Sequence, residues 1–352
     1  MKQLRNNVIR AGLEALYLTG AHHLLRPIFG GVGTIFTLHH VRPPREDEFQ
    51  PNRHLEVAPD FLRAMLSHLR SREVDIITMD ELHARLGERN FSRRFACFTL
   101  DDGYRDNRDF ALPIMREFTA PFTVFVASNF AGGIGRLWWI ALEAVIRRAP
   151  SIEVGIGGVV TRFDTSTPSA KQTAFDRLHD HMRSLPSQHD LECEIDTLCA
   201  RHGVDQEAIC REYCMSWDEL KSVANEPLVG IGAHSVSHCN LATQGEETTR
   251  DEMARSRERI ENALQQPVVH FAYPYGDKYA AGAREFAIAK ACGFKTAVTT
   301  RPGMIFPESA SHLTALPRVS LNGNYQDERI LPVLTSGAAT AMWNGFRRID
   351  AA

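Results

Sequence analysis

The stretch FACFTLDDGYRDN, residues Phe95 to Asn107, decides the fold class of this chain. Its first part, which ends at Leu100, is an apolar run with the β-favouring composition of a strand. The next three residues, Asp101 to Gly103, follow this run directly and form a sequence that favours a turn. In a parallel barrel such residues lie at the carboxyl end of a strand, where active-site groups converge. The stretch therefore predicts a parallel strand with functional acids at its end.

Similar apolar runs recur along the chain, and helical patterns such as Glu246–Leu264 separate them. This repetition of strand, helix and strand predicts an α/β fold with a parallel sheet. Seven or eight strands are enough to close the sheet into a (β/α) barrel. The predicted strands are Thr34–Leu38, Val74–Thr78, Phe95–Leu100, Phe122–Ala127, Leu228–Ala233, Val268–Tyr273, Thr296–Thr299 and the weaker Leu316–Leu321.

Three segments lie outside this repetition. Residues 150–214 contain mostly helical patterns after a short apolar run, so we expect an insertion that selects substrate or only stabilises the barrel. Residues 1–33 form an amphipathic segment, which either packs on the barrel or lies on a membrane surface; packing is the preferred prediction. The barrel itself is expected to span residues 34–330, and residues 331–352 form a C-terminal tail.

The composition narrows the possible functions. The chain has 352 residues, 43% of them hydrophobic, and a formal net charge of -3, which is typical of a globular protein without a nucleic-acid-binding surface. Its seven cysteines show neither a disulfide framework nor paired zinc knuckles. Charged residues such as Glu14 interrupt any signal peptide near the N-terminus. We therefore expect a cytoplasmic protein, and no nucleic acid as partner.

Two histidines and one acid form a candidate metal site. His234 and His238 lie four positions apart, so a helical turn would bring both imidazoles to one face. Alone this spacing is weak, but Asp102 at another strand end completes a set of two histidines and one carboxylate that leaves coordination positions open. Zinc is the default metal for this set, which also accepts cobalt, manganese or nickel.

The acid beside this set has a different predicted role. Adjacent side chains at a strand end point to opposite sides, so Asp101 and Asp102 can do different work. While Asp102 binds the metal, Asp101 can accept a proton from a water that the metal activates.

Three segments with these residues resemble the successive motifs of the polysaccharide deacetylase, or NodB homology, family. They are Phe98–Asn107 (FTLDDGYRDN), Ile231–Leu241 (IGAHSVSHCNL) and Phe271–Gly276 (FAYPYG). With the flanking strands, the resemblance runs from about Thr34 to Leu321. It implies a distorted (β/α) barrel that hydrolyses N-acetyl, sometimes O-acetyl, groups on sugars. It also implies that Asp101 is the base and that the metal ligands are Asp102, His234 and His238.

The resemblance extends to the walls of the pocket. Pro274 and Tyr275 match the family's motif, in which the backbone amide of the tyrosine helps to stabilise the oxyanion. Trp138 and Trp139 resemble the tryptophan motif that walls the pocket, although each alone is equally consistent with an ordinary core aromatic. The motif's arginine is missing, and Arg318 is the candidate that replaces its charge.

The family's late Leu-x-His motif, which provides the catalytic acid, is also absent. The run TLHHVR (Thr37–Arg42) resembles an N-terminal element of the subgroup that includes poly-N-acetylglucosamine deacetylases. On this resemblance His40 is the expected acid and His39 is a residue of the pocket wall.

The expected substrate is an N-acetylated polysaccharide, an oligosaccharide or a lipid-linked precursor. A lipid-linked substrate at the inner membrane face would suit a cytoplasmic enzyme, and peripheral membrane contact through both termini, including Trp343 and Phe346, would follow. One alternative is a deformylase or O-deacetylase of a lipid-linked sugar. The other is a non-catalytic carbohydrate-binding relative, against which the retention of both acids and both histidines argues.

Overall fold

Twelve strands lie within the part of the chain that the structure, a computed structural model, describes: residues 2–348, with side chains from residue 6 onward. The strands are β1 (Gly33–Leu38), β2 (His40–Val41), β3 (Glu56–Val57), β4 (Asp75–Ile76), β5 (Phe95–Leu100), β6 (Phe122–Val126), β7 (Ser151–Ile156), β8 (Val159–Asp164), β9 (Val229–Ala233), β10 (His270–Ala272), β11 (Thr296–Pro302) and β12 (Leu316–Ser320).

Helices connect most of these strands. The α-helices are α1 (Lys2–Leu18), α2 (Ala21–Phe29), α3 (Pro59–Ser71), α4 (Met79–Glu88), α5 (Leu112–Glu117), α6 (Ser128–Ala131), α7 (Trp138–Arg148), α8 (Pro168–Ser184), α9 (Gln188–His202), α10 (Gln206–Tyr213), α11 (Trp217–Ala224), α12 (Glu246–Leu264), α13 (Ala283–Ala291), α14 (Leu331–Thr335) and α15 (Ala338–Trp343).

Seven parallel strands close into a barrel in the order β1, β12, β11, β10, β9, β6, β5, and β1 pairs with β5 to complete the ring. The predicted (β/α) barrel is therefore confirmed. Of the eight predicted strands, the run from Val74 to Thr78 yields only the short β4, which pairs with the first two residues of β5 and is not part of the ring.

The ring holds the functional residues at one rim. All residues of β1 and β5 are buried, as expected for strands with packed elements on both faces. Since every ring strand runs in the same direction, the residues that follow β1, β5, β9 and β10 meet at the carboxyl rim.

The insertion at residues 150–214 builds a second hydrophobic core beside the barrel. It begins with the antiparallel hairpin β7–β8, whose two strands are not among those predicted from the sequence. It continues as α8, α9 and α10. Buried residues of α8 and α9 pack against α7, which begins with Trp138 and Trp139. Because α7 also borders the carboxyl rim, this second core supports one wall of the active site.

The two termini pack on each other against the barrel. Leu13 of α1 is buried in the main core, and Phe29 of α2 lies 6.3 Å from Phe346, ring centroid to ring centroid. Residues 349–352 of the predicted C-terminal tail lie outside the described residues. No described helix combines the length and the apolarity that crossing a membrane requires. Several apolar side chains on the terminal helices remain exposed, as does Phe346 after the last helix. Those on the helices are Val8, Leu18, Leu24, Ile28 and Trp343.

Candidate active site and metal centre

A cavity of about 110 Å³ opens at the carboxyl rim of the barrel. Both acids and both histidines of the predicted site line it, together with residues of α7 and of the insertion. The lining residues are His39, Asn52, His54, Leu55, Asp101, Asp102, Trp138, Trp139, His179, His234, His238, Tyr275 and Thr300.

Asp101 is held by a buried arginine. Nη1 of Arg318 donates to Oδ1 of Asp101 at 2.8 Å and Nη2 donates to Oδ2 at 2.6 Å, while the two side chains are 0% and 2% exposed. Burial by itself would raise the pKa of Asp101, but the Arg318 guanidinium more than offsets it and the pKa is lowered. The carboxyl group therefore stays ionised and oriented, as a general base must be.

Asp102 points to the other side of the strand end, toward the two histidines. Its Oδ1 lies 3.4 Å from Nε2 of His234 and 3.3 Å from Nε2 of His238, and it accepts no hydrogen bond from the described residues. Separations of this size are expected between neighbouring ligands that each lie ~2.1 Å from one metal ion. The donor set of two imidazoles and one carboxylate therefore fits a divalent metal.

The protonation states of Asp102 and His238 also suit a metal. Burial would raise the pKa of Asp102, but the nearby histidines hold it well below its usual value. Burial lowers the pKa of His238 and so favours its neutral form. Nδ1 of His234 lies 2.7 Å from the carbonyl oxygen of Ala272, and donation of the Nδ1 proton to that oxygen leaves the Nε2 lone pair directed toward Asp102.

The loop that carries both histidines is not a helical turn, contrary to the expectation from their spacing. The segment after β9 is irregular, and both Ser235 (φ 63°) and His238 (φ 59°) have left-handed backbone conformations. Oγ of Ser235 accepts a hydrogen bond from the backbone N–H of His238 at 2.9 Å and stabilises this tight loop. This local hydrogen bond stabilises a loop in which the imidazoles of His234 and His238 lie close together. A helical turn would also have brought them together, but the structure has none here.

Tyr275 and the two tryptophans form the predicted wall. Tyr275, which follows Pro274, has a φ of 61°, and its hydroxyl accepts a hydrogen bond from Nε1 of Trp138 at 2.9 Å. Nε1 of Trp139 donates to the hydroxyl of Tyr104 at 3.2 Å. Burial raises the pKa of Tyr275 to about 12, so its hydroxyl stays protonated. Within residues 2–348 the backbone N–H of Tyr275 has no partner and is available to a ligand.

Of the two histidines after β1, His39 lies in the cavity wall, as the sequence predicts, and His40 does not. His39 lines the cavity with Asp101 and Asp102, and burial lowers its pKa. His40, the expected acid, is absent from the cavity wall: its ring stacks on Tyr104 at 3.6 Å, and its Nδ1 lies 2.6 Å from a carboxylate oxygen of Asp106. Neighbouring residues at a strand end face opposite sides, and this alternation turns His39 toward the cavity and His40 away.

Residues 195–297 match the family model described as polysaccharide deacetylase. Over this segment the chain is similar to that family. The matched segment includes His234, His238 and Tyr275, and the barrel adds Asp101 and Asp102 from outside it. The match, together with this site, indicates a hydrolase that acts on carbon–nitrogen bonds other than peptide bonds. None of the curated proteins matches the chain in sequence.

Several solved structures share the fold of this chain. The deacetylase PplD of Streptococcus pyogenes in complex with acetate has a TM-score of 0.55 at 16% identity, over 83% of this chain and 92% of that one. IcaB from Ammonifex degensii has a TM-score of 0.55 at 17% identity, over 88% and 98%. A polysaccharide deacetylase from Bacillus cereus has a TM-score of 0.53 at 14% identity, over 87% and 68%. Identities this low show similarity of fold.

Several residues that line the cavity were not predicted from the sequence. Asn52 and His54 lie in the connection between β2 and β3, and Thr300 lies within β11, where its hydroxyl donates to the carbonyl oxygen of Tyr275 at 2.6 Å. His179 reaches the cavity from α8 of the insertion, and its ring lies 5.0 Å from that of Trp138. Asn52, His54 and His179 follow no predicted barrel strand, so the rule that located the other residues does not apply to them. Thr300 directly follows the predicted strand Thr296–Thr299, so the same rule could have located it.

Proposed function

We propose that this protein is a metal-dependent deacetylase that removes N-acetyl groups from sugar residues. The observation that carries the proposal is one cavity at the carboxyl rim, in which Asp101, an acid paired with Arg318, lies next to three possible metal ligands. These ligands are Asp102, His234 and His238. The family match supports the reaction class, and the fold shared with solved deacetylases supports the architecture.

The metal would be held by Asp102 Oδ1 and by Nε2 of His234 and His238. Zinc is the proposed ion, and cobalt, manganese and nickel suit the same ligands. When bound, a divalent metal supplies Lewis-acid polarisation of the acyl oxygen and lowers the pKa of water.

Residues of the protein transfer the proton, stabilise the developing negative charge and position the sugar. Asp101 takes the proton of the attacking water, and Arg318 keeps the carboxylate ionised and aligned between turnovers. The backbone N–H of Tyr275 donates to the oxygen that gains negative charge in the transition state. Trp138 and Trp139 provide the apolar wall against which the sugar ring packs.

We assign the catalytic acid to His39. A general acid must come within hydrogen-bond reach of the departing amine, and His39 lines the cavity beside both acids whereas His40 does not. We assign His40 a structural role instead, because its contacts with Tyr104 and Asp106 stabilise the rim next to His39.

The proposed substrate is an N-acetylated saccharide, either polymeric or linked to a lipid. Exposed apolar side chains on the terminal helices, Leu24, Ile28 and Trp343 among them, support peripheral contact with the inner membrane face, where a lipid-linked substrate is accessible. Seven free cysteines, most of them buried, support a reducing cytoplasm. A deformylase or O-deacetylase of a lipid-linked sugar is the second candidate.

The test is release of acetate from N-acetylglucosamine oligosaccharides, measured with and without added zinc. Asp102→Ala should lose bound metal and activity together, because it removes a charged ligand. Asp101→Asn should keep the metal while turnover falls by about 10²–10⁴-fold, the usual contribution of general base catalysis. Asp251→Asn, at an exposed position on α12, is the matched control and should retain both.

The other outcomes identify the alternatives. Release of formate but not acetate from matched substrates would favour the deformylase, and saccharide binding without any release would favour the non-catalytic relative. Loss of metal in Asp101→Asn with retention in Asp102→Ala would reverse the roles of the two acids.

A further inference from the structure

A second concave site lies at the opposite end of the barrel from the active site. It is formed by α2, α3, α14 and the residues that precede β4 and β5. Arg94 in this site directly precedes β5 and Asp101 directly follows it, so a strand length of ~23 Å, at 3.3 Å per residue, separates the two sites. The proposed deacetylation assigns no role to it.

The lining of this site is strongly basic. Three arginines and three histidines contribute to it, and no carboxylate does: Arg26, Arg72, Arg94, His22, His23 and His68. The side chains of Arg26 and Arg72 make no hydrogen bond or ion pair with any described residue. The nearby Asp75 already pairs with Arg85 at 2.9 Å and with Arg93 at 3.2 Å. The positive charge is therefore not neutralised by the described part of the protein.

Arg94 is the most buried of the three arginines in this group. Its Nη2 donates to the carbonyl oxygens of Gly30 at 2.6 Å and Thr335 at 3.0 Å, and its buried Nε has no partner in the described residues. Burial and the nearby Arg26 lower the pKa of Arg94 to about 10. His68 is held on the same side by Oγ1 of Thr335 at 3.1 Å from its Nε2. An anion bound between these donors would offset their mutual repulsion and accept charge-assisted hydrogen bonds.

We propose that this pocket binds a phosphate group. A guanidinium can donate two parallel hydrogen bonds to the oxygens of a phosphate, and three arginines line this pocket. One of them, Arg94, has an Nε–H without a partner in the described residues. The cavity has a volume of about 30 Å³, where one water needs ~10–15 Å³, so it admits a single small oxyanion rather than a sugar or a nucleotide.

The phosphate can be free in solution or belong to a phospholipid headgroup. The second source is suggested by α2, which supplies His22, His23 and Arg26 to the pocket and also exposes Leu24 (80%) and Ile28 (53%). An acyl chain attached to a bound phosphate would find these apolar side chains on the same helix. Both sources use the same recognition chemistry, and experiment distinguishes them.

The test uses the full-length protein and inorganic phosphate in isothermal titration calorimetry at constant ionic strength. Saturable binding to the wild type is expected, and the double variant Arg26→Gln with Arg72→Gln should bind at least ~10-fold more weakly, because two charge-assisted contacts are lost. Both side chains are exposed, so the fold should be retained. The control is Arg201→Gln with Arg255→Gln, two exposed arginines outside the pocket, which should bind as the wild type does.

Phosphatidylglycerol vesicles, compared with phosphatidylcholine vesicles, separate the two sources. Vesicle binding that phosphate competes away and that the double variant loses would assign the pocket to a headgroup; phosphate binding without vesicle binding would assign it to the free ion. No phosphate binding by the wild type, or equal binding by wild type and double variant, would overturn the proposal.

Discussion

Replacement of Arg318 by methionine tests the contact on which the proposed base depends. Methionine has a similar length but no charge, so Arg318→Met leaves the carboxylate of Asp101 buried at 2% exposure without its partner. Removal of one partner from a buried ion pair costs about 3–5 kcal/mol. Arg318 also donates to Oγ1 of Thr99 and to the carbonyl oxygen of Thr299, each at 2.9 Å. These two extra hydrogen bonds place the expected loss near the upper end of that range.

The double variant separates loss of the charge pair from loss of packing. Arg318→Met combined with Asp101→Asn removes both charges, so it should recover most of the stability that Arg318→Met loses, to within about 2 kcal/mol of the wild type. Urea unfolding of the metal-free proteins at neutral pH measures the free energy of unfolding of the single and the double variant. The slope of the transition is compared between variants. A loss below about 1 kcal/mol in Arg318→Met, or a double variant less stable than the single one, would refute the reasoning.

The pH dependence follows from the same contact. In the wild type the folded-state pKa of Asp101 is lowered, so its stabilising contribution is present above the unfolded pKa of ~4 and is lost as the pH falls through the folded pKa. In Arg318→Met, burial without the guanidinium should raise this pKa instead. The stability deficit should then grow as the pH rises from ~4 to the raised pKa. Equal deficits at pH 5 and pH 8 would contradict this.

Three further predictions test the site and its surroundings. His39→Ala should lower kcat by about 100-fold or more with the metal retained, as expected for a lost general acid, and His40→Ala should lower it less; metal analysis beside single-turnover kinetics decides, and the reverse order would return the acid to His40. Trp138→Phe removes the hydrogen bond to the hydroxyl of Tyr275, so kcat/KM should fall about two- to tenfold with metal content unchanged; a larger loss with loss of metal would show a wider structural role. In cell fractionation the protein should stay in the cytoplasm with at most salt-sensitive membrane association, and recovery in an exported fraction with a cleaved N-terminus would contradict this.

The barrel, and the site residues that directly follow its strands, could be predicted from the sequence because local sequence patterns specify them. The apolar run from Phe95 to Leu100 specifies a buried strand by composition alone, and parallel strands necessarily share one rim. Acids and histidines placed directly after such strands, Asp101, Asp102 and His234, therefore had predictable positions. The order of the motifs that resemble those of polysaccharide deacetylases indicated the reaction class. The spacing of apolar residues carries no information about the reaction.

Only the tertiary structure decided the rest. Whether β4 enters the ring depends on how the whole sheet closes, and the direction in which His39 and His40 face depends on where β1 stops. His179 reaches the cavity only because a second core docks its helix against α7. The basic pocket at the far end assembles arginines from three separate parts of the chain. Such contacts join residues that are distant in sequence, and no local pattern encodes the packing that brings them together.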